Sequence, residues 1–209
     1  MNMNKWVAGA VALVAGVGLA GCGTQDGANP AGSAIPTAST EAPEPGGTDA
    51  SIAQIKAAGI APCPVSAGAV SHDLPDLTLA CLGEGPVVNL AKLTGKPYVI
   101  NVWASWCGPC RTEVPIMASI YRQSKGRLGF LGIDMADDRV AALEFARTTD
   151  MGFPSVMDPD SKIRAGLGIV GVPTTLFVKA DGTIAGRVNE VTSEDQVKQL
   201  ISDNLQVQL

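Results

Sequence analysis

Positive charge is scarce in this sequence: 15 Lys and Arg stand against 20 Asp and Glu, a formal net charge of −5. Such a chain has no electrostatic basis for gripping DNA, RNA or an anionic membrane surface, so nucleic-acid binding is excluded as its function class. Histidine is rarer still, with His72 the single example. It flanks a loop and reads as a surface residue rather than a catalytic base. No Ser-His-Asp order, glycine-rich phosphate loop or haem-attachment Cys-x-x-Cys-His is present, since Arg111 follows Cys110. Internal repeats are absent as well. Aromatic residues make up only 4% of the chain, and all except Trp6 fall between Tyr98 and Phe177, which places the packed core there. Five cysteines are too few for a cysteine-stapled mini-protein, and the odd number leaves at least one outside intramolecular pairing. At 209 residues, with 24 Gly and 14 Pro, the chain has room for one self-sufficient domain plus segments of different composition.

Three compositions follow one another. Met1 to Lys5 is a short polar start, and Trp6 to Ala20 is an uncharged apolar run. That run matches a signal-peptide core and falls short of the roughly 18 residues of a spanning helix. Its end, Leu19-Ala20-Gly21-Cys22, resembles the bacterial lipobox, in which a cysteine is lipidated and becomes the mature N-terminus. On that reading 1–21 is a lipoprotein signal peptide and Cys22 is the odd cysteine, anchoring the protein by its acyl chains. Residues 23–50 carry no aromatic residue, no Lys and no Arg. They bury too little apolar area to offset chain entropy, so 22–50 is expected to be a lipidated disordered tether with a reach of about 30 Å.

Residues 51–72 form an N-terminal extension, and 73–209 read as the folded domain. Leu77-Thr78-Leu79 and Val87-Val88-Asn89-Leu90 are extended segments joined by the turn signal Gly83-Glu84-Gly85-Pro86. Tyr98 to Trp103 has the length and β-branched character of a buried strand. Pro109 to about Lys125 places Val114, Met117, Ala118 and Tyr121 at helical spacing, with Pro115 expected to kink it. Leu128 to Ile133 is a second apolar strand, and Asp137 to Asp150 is again helical. Thr174 to Lys179 and Thr183 to Val188 flank Ala180-Asp181-Gly182 as a hairpin. Ser193 caps a last helix that runs to Leu205. The pattern describes an α/β fold, a mixed central sheet covered on both faces.

The chemistry concentrates in Trp106-Cys107-Gly108-Pro109-Cys110, which follows a buried strand and opens a helix. There the first sulfur faces unpaired N–H groups and the positive end of the helix dipole, a setting that favours thiolate, the attacking species in disulfide exchange. Cys107 is therefore the candidate nucleophile. Cys110, one turn in, is the candidate resolving thiol that releases a mixed disulfide. Arg111 is either a nearby positive charge or an ordinary surface arginine.

Several segments together resemble the thioredoxin-like TlpA/ResA/DsbE family of extracytoplasmic thiol-disulfide oxidoreductases. They are Asn101-Val102-Trp103-Ala104-Ser105-Trp106-Cys107-Gly108-Pro109-Cys110, Arg111-Thr112-Glu113-Val114-Pro115, Gly152-Phe153-Pro154 and Gly171-Val172-Pro173-Thr174-Thr175. The resemblance covers roughly 73–205. It implies a thioredoxin-like fold with an N-terminal β-hairpin extension, and a cis Pro173 beside the active cysteines. It also implies a substrate groove at Trp106, Pro109, Val172 and Pro173. The implied activity is thiol-disulfide exchange on exported cysteine-containing proteins, with a membrane redox partner recycling the Cys107/Cys110 pair. Gly108-Pro109 is the dipeptide of reducing thioredoxins and favours a reductase. Apocytochrome c thiols are one substrate class, and the alternatives are an oxidase of protein folding or a non-catalytic binding module. No cofactor or metal is called for, and the protein is expected to be monomeric.

Two departures from that pattern stand out. Asn101 occupies the place of the buried Asp of cytosolic thioredoxins. Alignment also puts Cys81 where many relatives keep a Glu, leaving Glu84 as a displaced candidate for the acid that assists Cys110. Cys63 and Cys81 remain. They are expected to form a structural disulfide worth roughly 3 kcal/mol for a loop of about twenty residues, with a second redox pair and free thiols as the alternatives. A zinc site built from all four cysteines has poor ligand spacing.

Overall fold

The computed structural model describes residues 50–209. Expectations for 1–49, including the signal peptide and Cys22, lie outside them. Ser51 opens a short helix, α1 (Ile52–Ala57), with a reciprocal capping box to Gln54. Strands β1 (Thr78–Cys81) and β2 (Val88–Asn89) pair antiparallel, giving the expected hairpin extension. The buried strand expected at Tyr98 to Trp103 is β3 (Tyr98–Trp103), and every residue in it is buried. Helix α2 (Cys110–Ser124) follows and runs through Pro115. Next come β4 (Gly129–Met135), α3 (Arg139–Thr148), β5 (Ser155–Asp158), α4 (Ile163–Leu167), β6 (Thr174–Val178), β7 (Ile184–Val188) and α5 (Glu194–Leu205). The Asp138 carboxylate caps α3 by accepting from the Val140 and Ala141 amides, and Ser193 caps α5 through the Gln196 amide.

The strands make one mixed sheet in the order β2-β1-β5-β4-β3-β6-β7. Strand β3 lies parallel to β4 and antiparallel to β6. Side chains of β3 alternate between two cores, as a period of two dictates. Val99 and Trp103 pack with Val114, Met117, Phe145 and Val197, beneath α2, α3 and α5. Ile100 and Val102 pack on the other face with Leu90, Ile163 and Leu167. Each such aliphatic side chain contributes roughly 1.5–3 kcal/mol on full burial. The N-terminal extension is part of this body: Ala58 is buried, and the Ala61 N–H donates to the Gly152 carbonyl at 3.0 Å.

Two glycines on β4 permit close packing. A Cβ at Gly129 would stand 2.2 Å from the Tyr98 ring, and one at Gly132 would stand 2.2 Å from Ser155 Oγ and 2.7 Å from Trp103 Nε1. Three elements exceed the sequence reading, namely α1, β5 and α4. The last two have four and five residues, too few turns or alternations for a period to emerge.

Candidate active site

Strand β3 ends at Trp103, whose ring is buried and stacks on Phe145 at 4.9 Å. The chain then crosses to the start of α2, where Cys107 and Cys110 are joined in a disulfide with Cα atoms 5.3 Å apart. The Cys110 N–H, first of the helix, points at the Cys107 sulfur from 3.2 Å. No side chain caps this helix start, and the Arg111, Thr112 and Glu113 amides turn to the Gly108 and Pro109 carbonyls, which leaves the Cys110 N–H as the donor that addresses the sulfur. Cys107 retains 3% exposure and Cys110 none, which makes Cys107 the sulfur an incoming thiolate or disulfide can reach.

The motif loop is clamped from β4. Asp137, in the turn before α3, accepts from both the Ser105 amide and the Ser105 hydroxyl. The Trp106 indole N–H donates to the Ala136 carbonyl at 3.0 Å, and the ring stays 57% exposed. Behind them Asp134, in register with Trp103, is buried, and no donor reaches either of its oxygens. Burial above all, then the charge of Asp137 and a hydrogen bond to it, then Asp138 and Asp158, push its pKa up to about 9. Asp134 is therefore protonated at neutral pH, and its proton turns a meeting of two acceptors into a hydrogen bond to Asp137. Arg111 is tied to this side of the loop: its guanidinium donates to the Ser105 carbonyl at 3.0 Å and lies over the Phe145 ring.

On the other side lies a groove of about 270 Å³, walled by Pro109, Val170, Val172 and Pro173 and closed by Asn189 and Glu190. The Val172-Pro173 bond is cis. Of the residues expected at a groove, Pro109, Val172 and Pro173 meet here, while Trp106 does not line it and is held instead by the Ala136 carbonyl.

The acid near Cys110 is one that the sequence reading left without a role. Glu113 lies one turn along α2 and is the buried Glu among the described residues. Its Oε1 accepts from Asn101 Nδ2 at 2.7 Å and Thr175 Oγ1 at 3.1 Å, and its Oε2 accepts from the Val191 amide at 2.9 Å. Burial raises its pKa above the ordinary value, the three donors work against that rise, and the charge of Glu190 adds to it. Helical spacing carried the signal: Cys110, Glu113, Val114 and Met117 fall at i, i+3, i+4 and i+7, so Glu113 sits on the inward stripe. Glu84 does not replace it, being exposed in the loop after β1 with its carbonyl accepting from the Cys63 amide. Cys81 is no acid position for Cys110 either. It is bonded to Cys63 with Cα atoms 6.0 Å apart, and β5 and β4 separate β1 from β3, roughly 14 Å at ordinary strand spacing. His72 is exposed and lies within the loop closed by Cys63 and Cys81, far along the chain from Cys107 and Cys110.

Comparison with known proteins agrees with this geometry. Residues 70–187 match the AhpC/TSA family. The chain is 31% identical over 133 residues to the thiol:disulfide interchange protein DsbE of Pseudomonas fluorescens biotype C, covering 61% of this chain and 73% of the relative. It is 24% identical over 133 residues to the thiol-disulfide oxidoreductase ResA of Bacillus thuringiensis subsp. konkukian (strain 97-27), covering 63% and 76%. Among solved structures, a secreted Mycobacterium tuberculosis disulfide oxidoreductase homologous to E. coli DsbE superimposes with a TM-score of 0.55 at 27% identity, over 61% of this chain and 96% of that one. With a thioredoxin-like fold, a cysteine pair at disulfide distance and more than half its length matched, the chain belongs to the AhpC/TSA family and is a thiol-disulfide oxidoreductase of the ResA/DsbE type.

Proposed function

We propose that this protein is a membrane-anchored reductase that breaks disulfides in exported proteins through Cys107 and Cys110. One observation carries the assignment of roles: the more accessible residue of the pair, Cys107, is the one whose sulfur accepts from the Cys110 N–H that opens α2. In the reduced enzyme that donor and the helix dipole favour the Cys107 thiolate. The thiolate attacks one sulfur of a substrate disulfide, forming a mixed disulfide and expelling the other substrate sulfur as a thiolate that takes up a proton. Cys110, deprotonated, then attacks the Cys107 sulfur. The Cys107–Cys110 bond forms, the second substrate thiol leaves, and two electrons have passed to the substrate. Glu113, buried one turn away and held by Asn101, Thr175 and Val191, is the group we assign to hold the Cys110 proton during resolution. A dithiol partner in the membrane restores the pair by the same exchange in reverse.

The anchor rests on the sequence around Cys22, with residues 23–50 as the tether. Among the described residues no helix is long and apolar enough to cross a membrane. The Gly108-Pro109 dipeptide supports the reducing direction. Equilibration of the soluble domain with glutathione or dithiothreitol buffers tests it. A reductase poises the pair near thioredoxin, about −270 mV, whereas a value near that of DsbA, about −120 mV, makes the protein an oxidase.

A further inference from the structure

The groove that reaches Pro109, between the two active cysteines, has apolar walls and one formal charge, Glu190. Val170 and Val172 supply the apolar surface, Val170 being 82% exposed. Glu190 is exposed and forms no ion pair among the described residues. It is nonetheless held in place, because the next residue, Val191, donates its amide to buried Glu113 at 2.9 Å. The cation nearest in sequence to the cysteines, Arg111, is turned to the far side by the Ser105 carbonyl and the Phe145 ring. A positive charge entering along the groove therefore meets an unpaired carboxylate, whereas a negative charge meets repulsion only.

We propose that Glu190 makes the enzyme favour substrates whose target cysteine is flanked, within one or two residues, by Lys or Arg in an extended segment seated along Val170 and Val172. This selection rests on the exchange activity assigned above.

Three disulfide-linked peptides, identical except for Lys, Gln or Glu beside the cysteine, test the selection by the second-order rate of their reduction by the reduced soluble domain. Exposed ion pairs imply a preference of about 2–5-fold for Lys over Gln and a similar step from Gln to Glu. The ratios are expected to collapse towards one in Glu190→Gln and in about 1 M salt, where screening acts over a few ångströms, and to invert in Glu190→Lys. Equal rates for the three peptides with the unmodified enzyme, or a preference that survives Glu190→Gln, overturn the proposal while leaving the exchange activity standing. Failure to reduce any of the three overturns both.

Discussion

Asp134 is a buried carboxyl without a donor, made tolerable by its own proton. Its pKa of about 9 in the folded protein stands far above the value near 3.9 expected of the unfolded chain. Below about pH 4 both states hold the proton, and the group costs the fold least. As the pH rises towards 9 the unfolded chain gives up its proton while the folded one does not, so stability drains away across that window and no further above it. Asp134→Asn keeps a donor towards Asp137 and removes the ionisation. The variant is expected to gain on the unmodified protein progressively from pH 5 to pH 9, by at most about 1.4 kcal/mol per pH unit. Urea denaturation at a series of pH values measures this, and a difference independent of pH would mean that Asp134 is not protonated in the fold. Glu113 calls for a kinetic test. If it handles the Cys110 proton, Glu113→Gln slows resolution roughly 100- to 10,000-fold, as removal of a general base does. The first attack by Cys107 stays near its original rate, and rapid-quench detection of the mixed disulfide separates the two steps.

At the scale of elements, β4 depends on glycine as much as on its apolar residues. A methyl at Gly132 would collide with Ser155 Oγ and the Trp103 indole, and both contacts belong to side chains locked in the core. Gly132→Ala should therefore cost about 1–3 kcal/mol, the usual penalty for overpacking, readable as a lowered urea midpoint with an unchanged slope. This requirement was invisible in the sequence, where Gly132 is one glycine among 24. The longer elements were legible because their periods repeat: β3 coincides with the expected Tyr98 to Trp103, and α5 begins where Ser193 offers a cap. The hairpin at Ala180-Asp181-Gly182 declared itself through turn chemistry. Strand β5 did not, because Ser155–Asp158 is buried by tertiary pairing with Gly132 to Met135 rather than by any pattern of its own. The cysteines were readable from spacing and position. Glu113 was legible only as a position on the inward stripe of α2, and Glu190 not at all, since their importance lies in what β3, β6 and the segment after β7 bring against α2.

For the whole molecule, the proposed function divides the labour between the two disulfides. The Cys63–Cys81 bond ties the N-terminal extension to β1, with β5 and β4 between it and β3. Both cysteines are buried. Replacing both by Ser should lower stability by about 2–4 kcal/mol and leave the rate of disulfide exchange unchanged. Loss of turnover in that variant would instead make the bond a redox relay. The proposed anchor has its own test: Cys22→Ser should move the protein from the membrane fraction to the soluble one and abolish incorporation of labelled fatty acid. The central claim, that Cys107 attacks the disulfides of exported proteins and Cys110 resolves the product, is tested most directly by trapping. Cys110→Ser, expressed in the native envelope and isolated without reductant, should accumulate disulfide-linked partners that mass spectrometry maps to Cys107. Partners absent from Cys110→Ser, or equally abundant when Cys107 is also replaced, would contradict the account.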